Sequence, residues 1–195
     1  MNIKQDNIQT DKARLGAIGE NNVVSKLMQK GWDAFNANCT IKNYKSIDIV
    51  CLNGDKSENK DCPWKPKSAL VQVKTSRQTA IPIGFSTKQC LDKEYLNKMV
   101  KGPYVFVLVN EESKEYDFRY FILSRQQFIE LAYSAHYYYV NGYKREKELK
   151  LDAPACLHVR WLEGKSDEAT SKHIAFSNPL KGLSSENNWE NIWKE

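Results

Sequence analysis

No stretch of this chain approaches the ~18 consecutive apolar residues of a membrane span, and its mean hydropathy is −0.63. The opening residues, Met1-Asn2-Ile3-Lys4-Gln5-Asp6, are polar. They hold no apolar h-region, so no secretory signal is expected. Histidine is scarce: His136, His158 and His173 are the only three, and their spacing is not that of zinc ligands. The five cysteines, Cys39, Cys51, Cys62, Cys90 and Cys156, are odd in number and form no CxxC pair. A disulfide framework and a structural zinc site are therefore disfavoured. Free thiols in a reducing cytoplasm are the expectation. Cys39 and Cys51 have no recognisable companion for nucleophilic chemistry, and an inert buried thiol is the better reading. The chain has no GxSxG elbow and neither a GxxxxGK[ST] loop nor a GxGxxG turn. A hydrolase triad and a nucleotide cofactor are not indicated. It also shows no internal repeat, low-complexity segment or long linker.

What is present is ordinary for a soluble globular protein: 195 residues, 41% hydrophobic and 27% charged. That length corresponds to one domain, which buries roughly 70% of the surface its unfolded chain exposes. The net charge of +5 is uneven. Residues 1–110 hold 17 Lys and Arg against 10 Asp and Glu, whereas residues 111–195 hold 12 against 14. A polyanionic partner is therefore expected at the first half.

Residues 1–11 read as a flexible, frayed start, and residues 12–195 as a single domain. Leu15, Ile18, Val23 and Leu27 recur at mostly helical spacing over Lys12–Lys30, and Gly31 supplies a helix stop. Short strands are expected at Trp32–Asn36, Ile47–Leu52, Leu70–Lys74 and Ile81–Phe85, with a hairpin-type turn signal at Asn53-Gly54-Asp55. A helix over Leu91–Val100 precedes strands at Tyr104–Val109 and Phe118–Leu123. Ser124 then caps a helix over 125–134. The pattern leaves 136–152 undetermined, predicts a strand over Leu157–Leu162, and ends in a short amphipathic turn or helix over Trp189–Trp193. This order predicts an α/β chain with a central mixed β-sheet flanked by helices.

Four residues stand out against this background. Asp48 interrupts an apolar strand, where a carboxylate is costly unless compensated. Gln72 and Lys74 are two apart on another apolar strand and so share a face. Lysine rarely points into a core. If the strands are neighbours, a carboxylate, an amide oxygen and an ammonium converge at one sheet end. Such a set suits a hard cation next to a proton-handling group. Glu20 lies on the preceding helix.

These residues resemble the PD-(D/E)xK nuclease superfamily. The family pattern is an Asp on one strand, then an acidic residue or Gln, any residue, and Lys on the next. Here it reads Ser46-Ile47-Asp48 and Gln72-Val73-Lys74. Gly19-Glu20 on the first helix, ended by Gly31-Trp32, looks like archaeal Holliday-junction resolvases, and Gln72 looks like Mrr-type restriction endonucleases. The likeness covers roughly 12–110, leaving 111–195 as an elaboration. Ile47 stands for the Pro of the family name, and Gln72 for a carboxylate, which lowers the negative charge offered to a metal.

The resemblance implies a restriction endonuclease-like core and metal-dependent hydrolysis of DNA phosphodiester bonds leaving 5′-phosphates. Glu20, Asp48, Gln72 and the Val73 carbonyl would hold Mg²⁺, with Mn²⁺ as substitute. Lys74 would orient or deprotonate water, or stabilise the charge of the transition state. Cutting both strands would need a homodimer or sequential nicking.

Each residue also has a plainer reading. Asp48 could bond a neighbouring turn, Gln72 backbone groups, and Lys74 could guard a sheet edge. Glu20 could be solvated. Lys42, Lys45, Thr75, Ser76, Arg77 and Gln78 are candidate phosphate contacts. Tyr137-Tyr138-Tyr139 with Lys144, Arg145 and Lys147 could stack on unpaired bases, though a packed edge is the commoner use of such a cluster. Trp64, among Lys60, Lys65 and Lys67, reads as a wedge or a loop anchor. The rival function is a non-catalytic nucleic-acid-binding or interaction protein on the same fold. A small-molecule enzyme is a third class, which a closed apolar pocket would favour.

Overall fold

The computed structural model describes residues 3–37, 47–53, 67–110, 117–144 and 148–194. Lys42, Lys45, Cys39, Cys62, Trp64, Arg145, Lys147 and most of the 53–55 turn signal lie outside the described residues.

Helix α1 (Ile3–Gln29) opens the chain. It starts well upstream of Lys12, because residues 3–11 contain neither Gly nor Pro and a nucleated helix propagates at little cost. It ends as expected. Gly31 adopts φ 80°, the Gly31 N–H bonds the Met28 carbonyl at 2.9 Å, and the Trp32 N–H bonds the Leu27 carbonyl at 3.2 Å. This paired C-terminal closure needs a left-handed residue, and glycine takes it without strain.

Five strands form one mixed sheet in the order β1 (Asp33–Asn36), β2 (Ile49–Asn53), β3 (Lys67–Ser76), β5 (Tyr104–Asn110), β6 (Asp117–Leu123). Only β3 and β5 run parallel; the other pairs are antiparallel. The parallel pair requires a crossover. It is made by β4 (Ala80–Ser86), α2 (Thr87–Cys90) and α3 (Lys93–Met99). β4 pairs with β7 (Pro154–His158) in a separate two-stranded sheet.

The sheet has a core on each face. Leu15, Val23 and Leu27 of α1 pack with Ile49, Val71, Val73, Val105 and Val107 on one side, together with Trp189 and Ile192 of a 3-10 helix (Trp189–Trp193). On the other side Tyr104, Phe106 and Phe121 pack with Ile81, Ile83 and helix α4 (Arg125–Asn141). The unbroken apolar run of β5 follows from this burial on both faces.

Other boundaries also differ from the sequence reading. α4 carries on to Asn141, because His136 and Tyr138 continue the buried stripe of Phe128, Leu131, Ala132 and Ala135. The Leu157–Leu162 strand is half helix: β7 stops at His158, and α5 (Val159–Leu162) turns to bury Trp161 and Leu162. The apolar residues there fit either period, and burial of those two side chains selects the turn.

The end of the chain seals the sheet edge. Ile122 N–H bonds the Ser185 carbonyl, Asn187 N–H bonds the Tyr120 carbonyl, and Asn191 Nδ2 bonds the Ile122 carbonyl at 2.8 Å. Exposed N–H and C=O groups on β6 are thereby covered. No helix among the described residues is long and apolar enough to cross a membrane.

Candidate functional site

The first half of β3 pairs with β2, from Lys67 to Val71, and the second half with β5, from Gln72 to Ser76. Asp48 precedes β2 rather than lying within it, at the point where β3 changes partner. Its N–H bonds the Val71 carbonyl at 3.0 Å. Its Oδ2 accepts from the Val73 N–H at 2.7 Å and from the Gln72 side-chain amide. The carboxylate thus takes the place of the backbone acceptor that β2 no longer supplies. Hydrogen bonds to a charged acceptor contribute about 1.5–3 kcal/mol, which offsets the cost of the polar group at a sheet end.

Gln72 is buried and Lys74 half-buried on the same face. Burial holds the Lys74 ammonium below the ordinary lysine pKa, opposed by the charges of Asp48 and Glu20. Lys74 lies along Gly84 of β4: a Cβ there would stand 3.7 Å from Lys74 Cε and 3.8 Å from Nζ. Gly84 has φ 86°, a conformation that favours glycine.

Glu20 reaches this end from the opposite face. Asn36 Nδ2, at the end of β1, donates to Glu20 Oε2 at 2.8 Å. Gly19, one residue earlier, lies directly against the side chain of Thr75. Its missing side chain lets α1 approach β3 closely. The structure therefore brings Glu20, Asp48, Gln72 and Lys74 to one sheet end. Val73 shares that edge, because a strand residue's carbonyl points to the same side as its N–H.

Lys74 and Gln72 line an open cleft of about 140 Å³ with Leu70, Gln89, Tyr95, Met99, Lys101 and Tyr104. Tyr104 lies opposite Gln72 in the parallel register and stacks on Phe128 with ring centroids 3.6 Å apart. Burial, and then the charge of Asp48, raises its phenol pKa. The sequence reading passed over Tyr104 as the start of an apolar strand. Gly84 and Asn36 carried no local signal.

The proposed phosphate contacts separate. Thr75 faces α1. Ser76 is buried and holds the next turn, its Oγ accepting from the Gln78 N–H at 2.9 Å. Arg77 and Gln78 are exposed. In the tyrosine cluster Tyr138 is core: it stacks on Phe176, and its hydroxyl lies 2.9 Å from His173 Nδ1. Tyr137 and Tyr139 are exposed. Cys51 is fully buried, and burial, with the charge of Asp33, pushes its thiol up to about 12, which disfavours the reactive thiolate.

The donor set of two carboxylates, one amide and one backbone carbonyl is all hard oxygen, the kind that suits Mg²⁺. An ion shared by Asp48 and Gln72 would replace their hydrogen bond, the amide turning to present Oε1. Among the described residues no three of His, Cys, Asp and Glu converge on one point, so half of the set is neutral. Comparison with protein-family models, with curated proteins and with solved structures finds no match to this chain.

Proposed function

We propose that the protein is a metal-dependent DNA endonuclease with a restriction endonuclease-like core. The observation that carries this reading is the convergence of Asp48, Gln72, Lys74 and Glu20 at one end of a mixed, helix-flanked sheet. Glu20, Asp48, Gln72 and the Val73 carbonyl would hold Mg²⁺, or Mn²⁺ in its place. When bound, such an ion polarises a phosphate and acidifies water.

The protein's own groups supply the rest. Asp48 is anchored through Oδ2 by the Val73 N–H and the Gln72 amide. Lys74, confined by Gly84 and desolvated, is suited to accept a proton from an attacking water or to stand against charge growing on the phosphate. Tyr104 and Gln89 line the same wall as polar groups.

One observation favours the non-catalytic reading. Asp48 is already bonded by two protein donors, so the site assembles without an ion.

The test is cleavage of supercoiled plasmid and of a branched DNA junction, with Mg²⁺, Mn²⁺ or EDTA. Wild type is expected to cut with either metal and not in EDTA. Lys74→Ala is expected to lose about 10²- to 10⁴-fold in rate, the usual contribution of a proton-transfer group, and Asp48→Ala to lose metal-dependent cutting. Wild type that neither cuts either substrate nor binds a divalent ion by calorimetry would leave the binding-module reading in its place.

A further inference from the structure

A second groove, of about 550 Å³, opens beside the cleft and shares Leu70, Lys101 and Gly102 with it. It is lined by Lys67, Lys101, Arg125, Lys194 and Trp193, with no Asp or Glu among the described residues that line it. Some cations elsewhere are paired with carboxylates: Arg14 with Asp11, Lys93 with Glu130, Arg119 with Glu163 and Glu186, Arg160 with Asp167.

The groove cations have neutral partners among the described residues. Lys101 Nζ donates to the Lys98 carbonyl at 2.6 Å. Arg125 donates to the Val100 carbonyl at 2.9 Å and to the Asn97 carbonyl, and Lys194 Nζ to Asn191 Oδ1 at 3.0 Å. Lys67 Nζ stands 5.8 Å from the centre of the Trp193 ring. Among the described residues none of these four cations has a carboxylate partner. Arg125 is also fixed in place by the end of α3, so little further ordering is needed when it meets an anion. At Gly102 the groove floor is bare backbone lying directly against the Leu70 carbonyl.

We infer that this groove binds the phosphodiester backbone of one nucleic-acid strand and leads it into the Lys74 cleft. The inference rests on the nuclease reading for where the strand goes, and on the groove itself for what binds. Repeated phosphates complement a row of cations whose described partners are all neutral, and half-buried Trp193 offers an aromatic surface to an unpaired base. A concave track ending in a cleft suits a strand. The sequence places Lys67 and Lys101 in the basic first half but Arg125 and Lys194 in the acidic remainder. No tally by halves finds the groove.

The test is binding of a fluorescent single-stranded DNA 20-mer, by anisotropy in EDTA over a range of salt. Wild type is compared with Lys67→Gln/Lys101→Gln/Lys194→Gln, all exposed positions, and with a control, Lys150→Gln/Lys172→Gln/Lys181→Gln. Circular dichroism verifies that all three fold. Loss of three phosphate contacts should flatten the slope of log affinity against log salt by about 2 and weaken binding at least about tenfold, while the control binds as wild type does. Equal affinity and slope in the groove variant would overturn the inference. So would displacement of the oligonucleotide by polyglutamate as readily as by unlabelled DNA, which would make the groove an acidic-peptide site. Because cutting is blocked in EDTA, the two readings separate. Groove-dependent binding by a wild type that cleaves neither plasmid nor junction and binds no divalent ion by calorimetry would support the groove and refute the nuclease. Cleavage by wild type with unaltered binding in the groove variant would refute the groove alone.

Discussion

The Gln72 side-chain amide donates to the Asp48 carboxylate, at a position where a nuclease of the proposed kind would carry a second acid. Two acids there would repel without a metal; an acid and an amide bind each other. Glutamine lets the sheet end form on its own and lowers the charge available to an ion.

Gln72→Glu should reverse that balance. Beside Asp48 the new carboxyl has its folded pKa raised by like charge. Its folded pKa then exceeds its unfolded one, so stability present at low pH is lost as the pH rises through the carboxylate range. In EDTA the variant should melt below wild type at neutral pH, by about 1–2 kcal/mol. Excess Mg²⁺ should raise its Tm more than that of wild type. Equal melting curves with and without metal would contradict a cation site here.

Gly19→Ala sets two effects against each other. Alanine is favoured over glycine within a helix by about 1 kcal/mol. Here, however, the added methyl meets the Thr75 side chain, including its Cβ, and overpacking costs about 1–3 kcal/mol. Packing should win and the variant should be less stable. Gly19→Ala/Thr75→Ala should recover much of the loss in chemical denaturation. Since Glu20 rides on the same helix turn, metal-dependent cutting should fall in the single variant and return in the double.

Lys74→Met should separate stability from activity. Burial holds the folded lysine pKa below its ordinary value, so the unfolded chain binds the proton more tightly. Wild type therefore gains stability as pH rises from the folded toward the unfolded lysine pKa. The uncharged, similarly shaped methionine escapes the cost of burying the charge. Its Tm should exceed that of wild type near neutral pH, and the difference should shrink at alkaline pH. Cleavage should be lost throughout.

Arg119 ties β6 to the C-terminal region. It bonds Glu186 through Nε at 2.8 Å and Glu163 through Nη2 at 2.8 Å. Hydrogen bonding from Lys165, and then from Arg119, lowers the Glu163 pKa, so this contribution is present above the unfolded carboxylate range and lost as pH falls through the lowered value. The Arg119 side chain is 40% exposed, and solvent screening limits the network to about 1 kcal/mol. Arg119→Ala should lower stability by about that much at neutral pH and low salt. The gap should close in acid and in high salt, as urea melts would show.

Much of the fold was legible locally. The Gly31 stop and the Ser124 cap declare themselves through backbone chemistry that a few residues complete. The shared face of Gln72 and Lys74 follows from strand alternation alone. α5 was not legible, because Leu157–Leu162 suits either period until Trp161 and Leu162 find something to bury them.

By itself, then, the sequence determined which residues are chemically costly where they stand: Asp48 and Lys74 in apolar surroundings, Gln72 beside them. Each is an anomaly against its immediate neighbours, and that needs only local periodicity. Only the tertiary structure decided that they meet. Asp48 and Gln72 are 24 positions apart, and their contact depends on β3 changing partners from β2 to β5. Glu20 joins from another layer because Gly19 allows α1 onto Thr75, and the basic groove draws on four separate segments. Register and layer packing are set by burial across the whole sheet, and no single segment of sequence carries that information.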